Sequence, residues 1–290
     1  MIDTIANSLS YLTRSLAFVP GMYFVTKPLH KAFTRHYSKQ GEDKGWRVIS
    51  VNGYKLKVNI THRMAALIYW RGAHEWAALY LLRHELKKGM VVYDIGANIG
   101  EMSIFSAHLL GPDARVFSFE PMKETYKILK ENIALNGYEN RVKAFDIALS
   151  DKSGEADLYA ATEYNENGSF EDGLHTLYAT NDRSVKLQTI RMETLDSKQG
   201  ELPAPHFIKL DVEGAELHVL KGAVNTLRTK HPKIMLEFNK DTFEAAGYSQ
   251  REVLDFLRQF DYKFFTVETR GRLEQLDEAH MPELVNLLCV

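Results

Sequence analysis

Val91-Val92-Tyr93-Asp94-Ile95-Gly96-Ala97-Asn98-Ile99-Gly100 is the stretch on which the fold of this chain turns. An apolar, β-branched run that ends in an acid and then two glycines four apart predicts a buried strand, a tight turn and the start of a helix. Gly96 lets the backbone pass close to a ligand and Gly100 lets the helix approach the strand, so free amides at the helix N-terminus are expected to face a pocket. The spacing departs from the dinucleotide fingerprint G-x-G-x-x-G, because Asn98 stands where the second glycine must be. Asp94 adds to the misfit. A carboxylate at the strand end repels a pyrophosphate but attracts an ammonium or sulfonium. The stretch therefore points to S-adenosylmethionine, which carries both cations, over NAD. A turn in which Asp94 only ties down amides would use similar residues.

With 290 residues, 45% of them hydrophobic, the chain can bury a sizeable core. A formal net charge of -2 gives no basis for a polyanion-binding surface, so no nucleic-acid partner is expected. The single cysteine, Cys289, can build neither a disulfide scaffold nor a cysteine zinc site, which fits a reducing compartment.

Ile5, Leu9, Leu12, Leu16 and Val19 recur at steps of three and four, predicting an amphipathic helix over 3–18 that stops at Pro20-Gly21. A second short helix is expected from Pro28. Arg14, Pro20 and Gly21 interrupt the apolar stretch and no secretory cleavage pattern follows, so a cytoplasmic protein is expected. Lys27, His30, Lys31, Arg35 and His36 beside aromatic residues suit adsorption to a membrane surface through residues 1–40. Packing of this arm on its own domain or on a second copy suits the same residues. Arg47 to Ile60 alternates around Asn52-Gly53, a hairpin signal, and a leucine-rich helix is expected over 74–87. The expected organisation is a helical arm over 1–45, a β-hairpin and helix cap over 46–88, and a main domain over 89–290.

From Gly89 onward strands alternate with helices, the pattern of a parallel sheet covered on both faces. Strands are expected at 90–95, 115–119, 142–146, 206–211, 233–238, 261–267 and 284–289, with antiparallel pieces at 155–160 and 185–191. Helices are expected at 99–110, 122–135, 213–229 and 249–259. This predicts an α/β, Rossmann-like domain with a seven-stranded, mostly parallel sheet that ends in an antiparallel hairpin. Its ligand should lie over the carboxyl ends of the strands.

Charged residues collect at those ends. Glu120, in Phe119-Glu120-Pro121, can accept both ribose hydroxyls of a nucleoside, or merely flank a helix whose first position is Pro121. Asp146 can accept an adenine amino group while the Ala148 amide meets a ring nitrogen. Turn-tethering suits Asp146 as well. Lys209, Asp211, Glu213 and Glu216 crowd the end of strand four, and Glu237 ends strand five, so two adjacent strands aim carboxylates at one cleft. Asp211 as a helix N-cap, Glu213 and Glu216 as dipole partners and Lys209 as an ion-pair partner are the plainer readings.

Asp94 to Gly100, Phe119-Glu120-Pro121, Asn132 to Gly137, Ala148-Leu149-Ser150-Asp151 and above all Ile208 to Ala223 (IKLDVEGAELHVLKGA) resemble the FkbM family of S-adenosylmethionine-dependent methyltransferases. The resemblance covers roughly residues 65–290. Glu75 resembles the family's acid ahead of strand one, and Asn167-Gly168-Ser169 its loop between strands three and four. What the resemblance implies is a class I methyltransferase fold, S-adenosylmethionine as donor, and O-methylation of a hydroxyl on a sugar, glycan or other secondary metabolite. N-methylation of another small molecule, or an inactive cofactor- or partner-binding member, is the alternative.

An alcohol is a poor nucleophile until its proton leaves, so a base is needed. Asp211, Glu213 and Glu237 are the candidates. Glu75, Asp94, Gly96, Ala97, Asn98, Gly100, Glu120, Pro121, Asp146, Ala148 and Asp211 are expected to hold the cofactor. No metal is assigned. A divalent cation on Asp211, Glu213 and Glu237 is the variant of the same chemistry. An amino-adenine methyltransferase would show Pro-Pro-aromatic where Asp211-Val212-Glu213-Gly214 stands, and a phosphate-binding loop would show G-x-x-x-x-G-K. The loop over 161–184, with Tyr164, Phe170, His175 and Tyr178, is expected to form a lid, with His175 a further candidate base.

Overall fold

The computed structural model describes residues 2–15, 22–160, 175–178 and 185–290. They fall into two compact units, one ending at Glu75 and the other beginning at Trp76. Among the described residues no helix is long and apolar enough to cross a membrane.

The first unit contains α1 (Ile2–Ser15), α2 (Met22–Ser38), β1 (Trp46–Val51), β2 (Tyr54–Asn59) and α3 (Arg63–Arg71). β1 and β2 form the hairpin expected at Asn52-Gly53, with Val51 opposite Tyr54. The helix over 63–71 was not legible as one. Its last turn closes on Gly72, whose left-handed φ of 85° supplies the C-cap. α1 reverses the orientation that its apolar spacing suggests. It buries Ala6, Ser10 and Thr13, and leaves Ile5, Tyr11 and Leu12 47%, 71% and 54% exposed. Hydrogen bonds explain the reversal. Thr13 Oγ1 donates to Trp70 O at 2.7 Å, Arg14 Nη1 to Tyr69 O at 2.6 Å, and Tyr69 Oη to Asn7 Oδ1 at 2.7 Å. They tie the polar face of α1 to α3.

The second unit opens with α4 (Trp76–Glu85), β3 (Val91–Ile95), α5 (Glu101–Leu110), β4 (Arg115–Phe119), α6 (Lys123–Leu135) and β5 (Val142–Phe145). β6 (Ala148–Leu149), β7 (Gly154–Ala160) and β8 (Val185–Glu193) follow, then β9 (Phe207–Leu210), α7 (Glu216–Lys221), α8 (Val224–Lys230) and β10 (Lys233–Asn239). α9 (Lys240–Ala245), α10 (Gln250–Arg258), β11 (Phe264–Val267), β12 (Leu273–Gln275) and β13 (Leu284–Cys289) complete it. The main sheet runs β12-β11-β13-β10-β9-β3-β4-β5. β10, β9, β3, β4 and β5 are parallel, and β13 is antiparallel to both β10 and β11.

The sheet therefore has eight strands where seven were expected. The extra one, β12, is an exposed polar edge of three residues with no apolar alternation to announce it. It forms the hairpin with β11, while β13 inserts between β11 and β10. The antiparallel pieces around 155–160 and 185–191 leave the main sheet and join β6 in a small sheet of their own. The helix expected over 213–229 is broken into α7 and α8. At Gly222 a side chain would meet Ser150 O at 1.9 Å, so the chain must pass Ser150 as glycine and turn.

All five residues of β3 are buried, as a strand covered on both faces requires. The chain winds outward from β3 through β4 to β5, then returns to the other side of β3 with β9 and β10. This reversal is a topological switch point, where open α/β sheets carry their ligands outside the strands' carboxyl ends. The Gly96 turn and the Asp211 loop meet there.

Candidate active site

The turn after β3 is built from its own amides. Gly96 N and Ala97 N both donate to Phe119 O at 3.0 Å, Asn98 N to Glu120 Oε2 at 2.8 Å, Ile99 N to Asn98 Oδ1 at 2.7 Å, and Gly100 N to Ala97 O at 2.9 Å. The expected free amides are thus spent within the chain over Gly96 to Gly100. A turn that has used these donors offers a pyrophosphate little, in keeping with the missing second glycine. Asn98 adopts a φ of 50°, which an asparagine tolerates better than other side chains. Gly96, at φ 77°, lies so close to β9 that a Cβ would fall 1.8 Å from Asp211 O.

Asp94 is 1% exposed. Its Oδ2 accepts from Ser103 Oγ, while its Oδ1 has no hydrogen-bond donor and lies 3.7 Å from Lys209 Nζ. Burial pushes the Asp94 carboxyl above its usual range, against the pull of Lys209 and Ser103. Lys209 Nζ donates to Gly96 O at 2.7 Å and pairs with Asp211 Oδ2 at 3.2 Å. Burial works to lower the Lys209 pKa, but Asp211 and Asp94 outweigh it and hold the ammonium charged. One lysine thus joins the glycine turn to the acidic loop.

That loop is folded around Glu216, which is wholly buried. Its Oε1 accepts from Val212 N at 2.9 Å and its Oε2 from Gly214 N at 3.0 Å, while Tyr248 Oη donates to Gly214 O at 2.8 Å. Glu213 is forced to a φ of 52°. The buried Thr176 donates its Oγ1 to Glu213 O at 2.9 Å. The clamp turns Asp211 and Glu213 toward Glu237 of the neighbouring β10, and oxygens of the three carboxylates lie within 4.8 Å of one another. Burial, then Asp211, Glu213 and Glu216, push the Glu237 carboxyl well above its usual range.

The carboxylate cluster thus lies beside the glycine turn at the switch point, where open α/β sheets carry their ligands. The methyltransferase FkbM domain matches residues 94–264, more than half of the chain. The chain belongs to the FkbM methyltransferase family. It is an S-adenosylmethionine-dependent methyltransferase. The hexuronic acid methyltransferase AglP of Haloferax volcanii is 29% identical over 193 residues, covering 66% of this chain and 74% of its own length. The 31-O-demethyl-FK506 methyltransferase FkbM of Streptomyces tacrolimicus is 29% identical over 167 residues, 49% of this chain and 63% of its own. The crystal structure of methyltransferase FkbM from Methylobacillus flagellatus KT superposes with a TM-score of 0.47 at 18% identity, covering 74% of this chain and 48% of that one.

Two observations fit these residues to the cofactor of an FkbM methyltransferase. Asp94 keeps an enclosed oxygen without a donor. Glu120, 7% exposed at the carboxyl end of β4, accepts from Asn98 N and from Met122 N at 2.9 Å, so its carboxylate is fixed beside the glycine turn. Gly96, Ala97, Asn98, Gly100 and Pro121 stand around them. Asp146 and Ala148 lie beyond the carboxyl end of β5, where Asp146 is exposed and Arg191 Nη2 is 3.9 Å away. Glu75 belongs to the first unit. Asp211 is not an N-cap, since α7 starts after Ala215 with no side-chain cap. Of the loop expected as a lid, residues 161–174 and 179–184 lie outside the described residues.

Lys209 and Glu216 matter more than their sequence neighbourhood suggests. A lysine inside a buried strand, flanked by Leu210 and Ile208, signals a partnered charge, and the partner set of Lys209 emerges only from the β3–β9 pairing of Asp94 with Lys209. Asn132, 0% exposed, holds the start of α5 by donating Nδ2 to Ile99 O at 2.8 Å. Cys289 is buried in β13 and takes no part in the site.

Proposed function

We propose that this FkbM methyltransferase is an O-methyltransferase acting on a hydroxyl of a sugar, glycan or secondary-metabolite acceptor. The observation that carries the reading is the approach of Asp211, Glu213 and Glu237 to within 4.8 Å at the carboxyl edge of the sheet. S-adenosylmethionine supplies an activated methyl carbon, so the chain's task is to align an oxygen with it and exclude water. Asp94, Gly96, Ala97, Asn98, Gly100, Glu120 and Pro121 hold the cofactor, with Glu120 accepting the ribose hydroxyls; Asp146, Ala148 and Glu75 are the outlying candidates. One carboxylate of the acidic trio takes the acceptor's proton as its oxygen attacks. The raised proton affinity of Glu237 suits a base that must hold that proton beside other acids.

The relatives, one a hexuronic acid methyltransferase and one a 31-O-demethyl-FK506 methyltransferase, support a hydroxylated or uronic acceptor. The test is transfer of labelled methyl from S-adenosylmethionine to a panel of sugars, uronic acids and amino sugars. Label on hydroxyl oxygens, lost in Glu237→Gln with S-adenosylhomocysteine binding kept, supports the reading. Label on amine nitrogen alone would replace it with N-methylation.

A further inference from the structure

We propose that Asp211, Glu213 and Glu237 form a binding site for one divalent cation of the Mg2+ or Mn2+ type, which seats the acceptor's oxygen; this rests on the methyltransferase reading of the same cleft. Each of the three offers one carboxylate oxygen, and those oxygens lie within 4.8 Å of one another. Octahedral bonds of about 2.1 Å place neighbouring ligand oxygens roughly 3 Å apart, so the three carboxylates draw together by side-chain rotation to complete one face of the shell. An all-oxygen, all-carboxylate set selects a hard cation over zinc or copper.

The second observation lies in the hydrogen bonding. Glu237 Oε2 is closed off from solvent and accepts no hydrogen bond. The Lys209 ammonium reaches Asp94 at 3.7 Å and Asp211 at 3.2 Å and donates its hydrogen bond to Gly96 O. It attracts Glu237 through space but donates no hydrogen bond to its Oε2. Enclosed carboxylate oxygens without donors are expensive to keep, and a bound cation satisfies them. The scaffold is also stiff where the cluster needs it. Glu216 and Tyr248 brace the loop, Thr176 Oγ1 holds Glu213 O, and Gly214 passes so close to Thr242 O that a Cβ would sit 2.6 Å from it.

A cation here binds the acceptor through its hydroxyl oxygen and lowers that hydroxyl's pKa. The proton goes to the second oxygen of a cluster carboxylate, the acceptor O–C bond forms, and the S–C bond of the donor breaks. Acceptors with a neighbouring hydroxyl or carboxylate oxygen chelate best, which favours vicinal diols and uronic acids.

The test is a Mn2+ titration of the full chain, read from the free Mn2+ signal by electron paramagnetic resonance, with S-adenosylhomocysteine binding measured separately by calorimetry. One Mn2+ per chain is expected, with affinity falling at least tenfold in Glu213→Gln/Glu237→Gln and the S-adenosylhomocysteine affinity unchanged. The thermal midpoint of the double variant shows whether it is folded. Should it not fold, Glu237→Asp replaces it, drawing the oxygen back by one methylene with the charge kept. No Mn2+ uptake by the wild-type chain, or equal uptake by the folded variant, overturns the cation site while cofactor binding leaves the methyltransferase reading in place. Mn2+ uptake without S-adenosylhomocysteine binding supports the cation site and removes the cofactor reading instead.

Discussion

The backbone N–H of Asn98 donates to Glu120 Oε2 at 2.8 Å, so the acid that ends β4 holds the glycine turn that follows β3. Glu120 has two duties, because its other oxygen accepts from Met122 N at the entrance to α6. Glu120→Ala orphans both amides and removes the group proposed to accept the ribose hydroxyls. We expect a stability loss of about 1–3 kcal/mol by urea denaturation and at least a tenfold loss of S-adenosylhomocysteine affinity by calorimetry. Stability lost with affinity intact would reduce Glu120 to a brace.

Gly96 and Gly100 should respond differently to alanine. At Gly96 the added Cβ would lie 1.8 Å from Asp211 O, a backbone atom that cannot move aside as a side chain can, and φ is 77°. At Gly100 the nearest atom is Leu129 Cδ1 at 2.5 Å, the end of a side chain that can change rotamer. Gly96→Ala is therefore expected to cost about 4 kcal/mol or more, and Gly100→Ala about 1–2 kcal/mol for its left-handed φ and a repacked leucine. Thermal midpoints of the two variants check the ranking, and equal losses would contradict it.

The contrast shows what the sequence could carry. Two glycines four apart after an apolar run are a local pattern, so the turn and its strand are legible from Val91 to Gly100 alone. That Gly96 must be glycine because of Asp211 O, more than a hundred residues away, depends on the β3–β9 pairing and has no local signature. The acids at the strand ends were legible because carboxylates interrupt buried strands. The clamp on them was not, since Glu216 meets Val212 N and Gly214 N through a loop whose positive φ at Glu213 no propensity predicts. α1 misled for a related reason. Its apolar spacing is regular, yet hydrogen bonds from Thr13 and Arg14 to α3 carbonyls decide which face is buried.

Lys209 neutralises acids on two strands. Lys209→Met keeps the volume and leaves Asp94, 1% exposed, without its cation. Removing one partner of a buried pair costs about 3–5 kcal/mol, far more than an exposed pair. We expect a loss of that order in urea denaturation. A loss below 1 kcal/mol would mean that Asp94 is served adequately by Ser103.

Cys289 is 0% exposed between β10 and β11, and burial pushes its thiol far up, so little thiolate exists at neutral or mildly alkaline pH. Iodoacetamide at pH 8 should leave the folded chain unmodified and alkylate it fully in denaturant. Mass spectrometry reads the outcome. Rapid alkylation of the native chain would show that the sheet opens around β13.

Glu216 sets a pH dependence of stability. Burial is the main cause that raises its carboxyl from 4.5 to about 7, against the hydrogen bonds from Val212 N and Gly214 N. The folded chain therefore holds this proton more tightly than the unfolded one does. A raised carboxyl contributes stability that is complete below about 4.5, declines as pH rises, and is lost by about 7. The integral amounts to roughly 3 kcal/mol from a shift of that size. Glu216→Gln cannot titrate, so the difference in unfolding free energy between wild type and variant should change across pH 4.5 to 7 in that direction. The comparison uses slopes because the amide also loses one backbone hydrogen bond, an offset that does not vary with pH. A difference that stays flat over the window would place the Glu216 proton affinity at its ordinary value and leave the loop clamp ionised throughout.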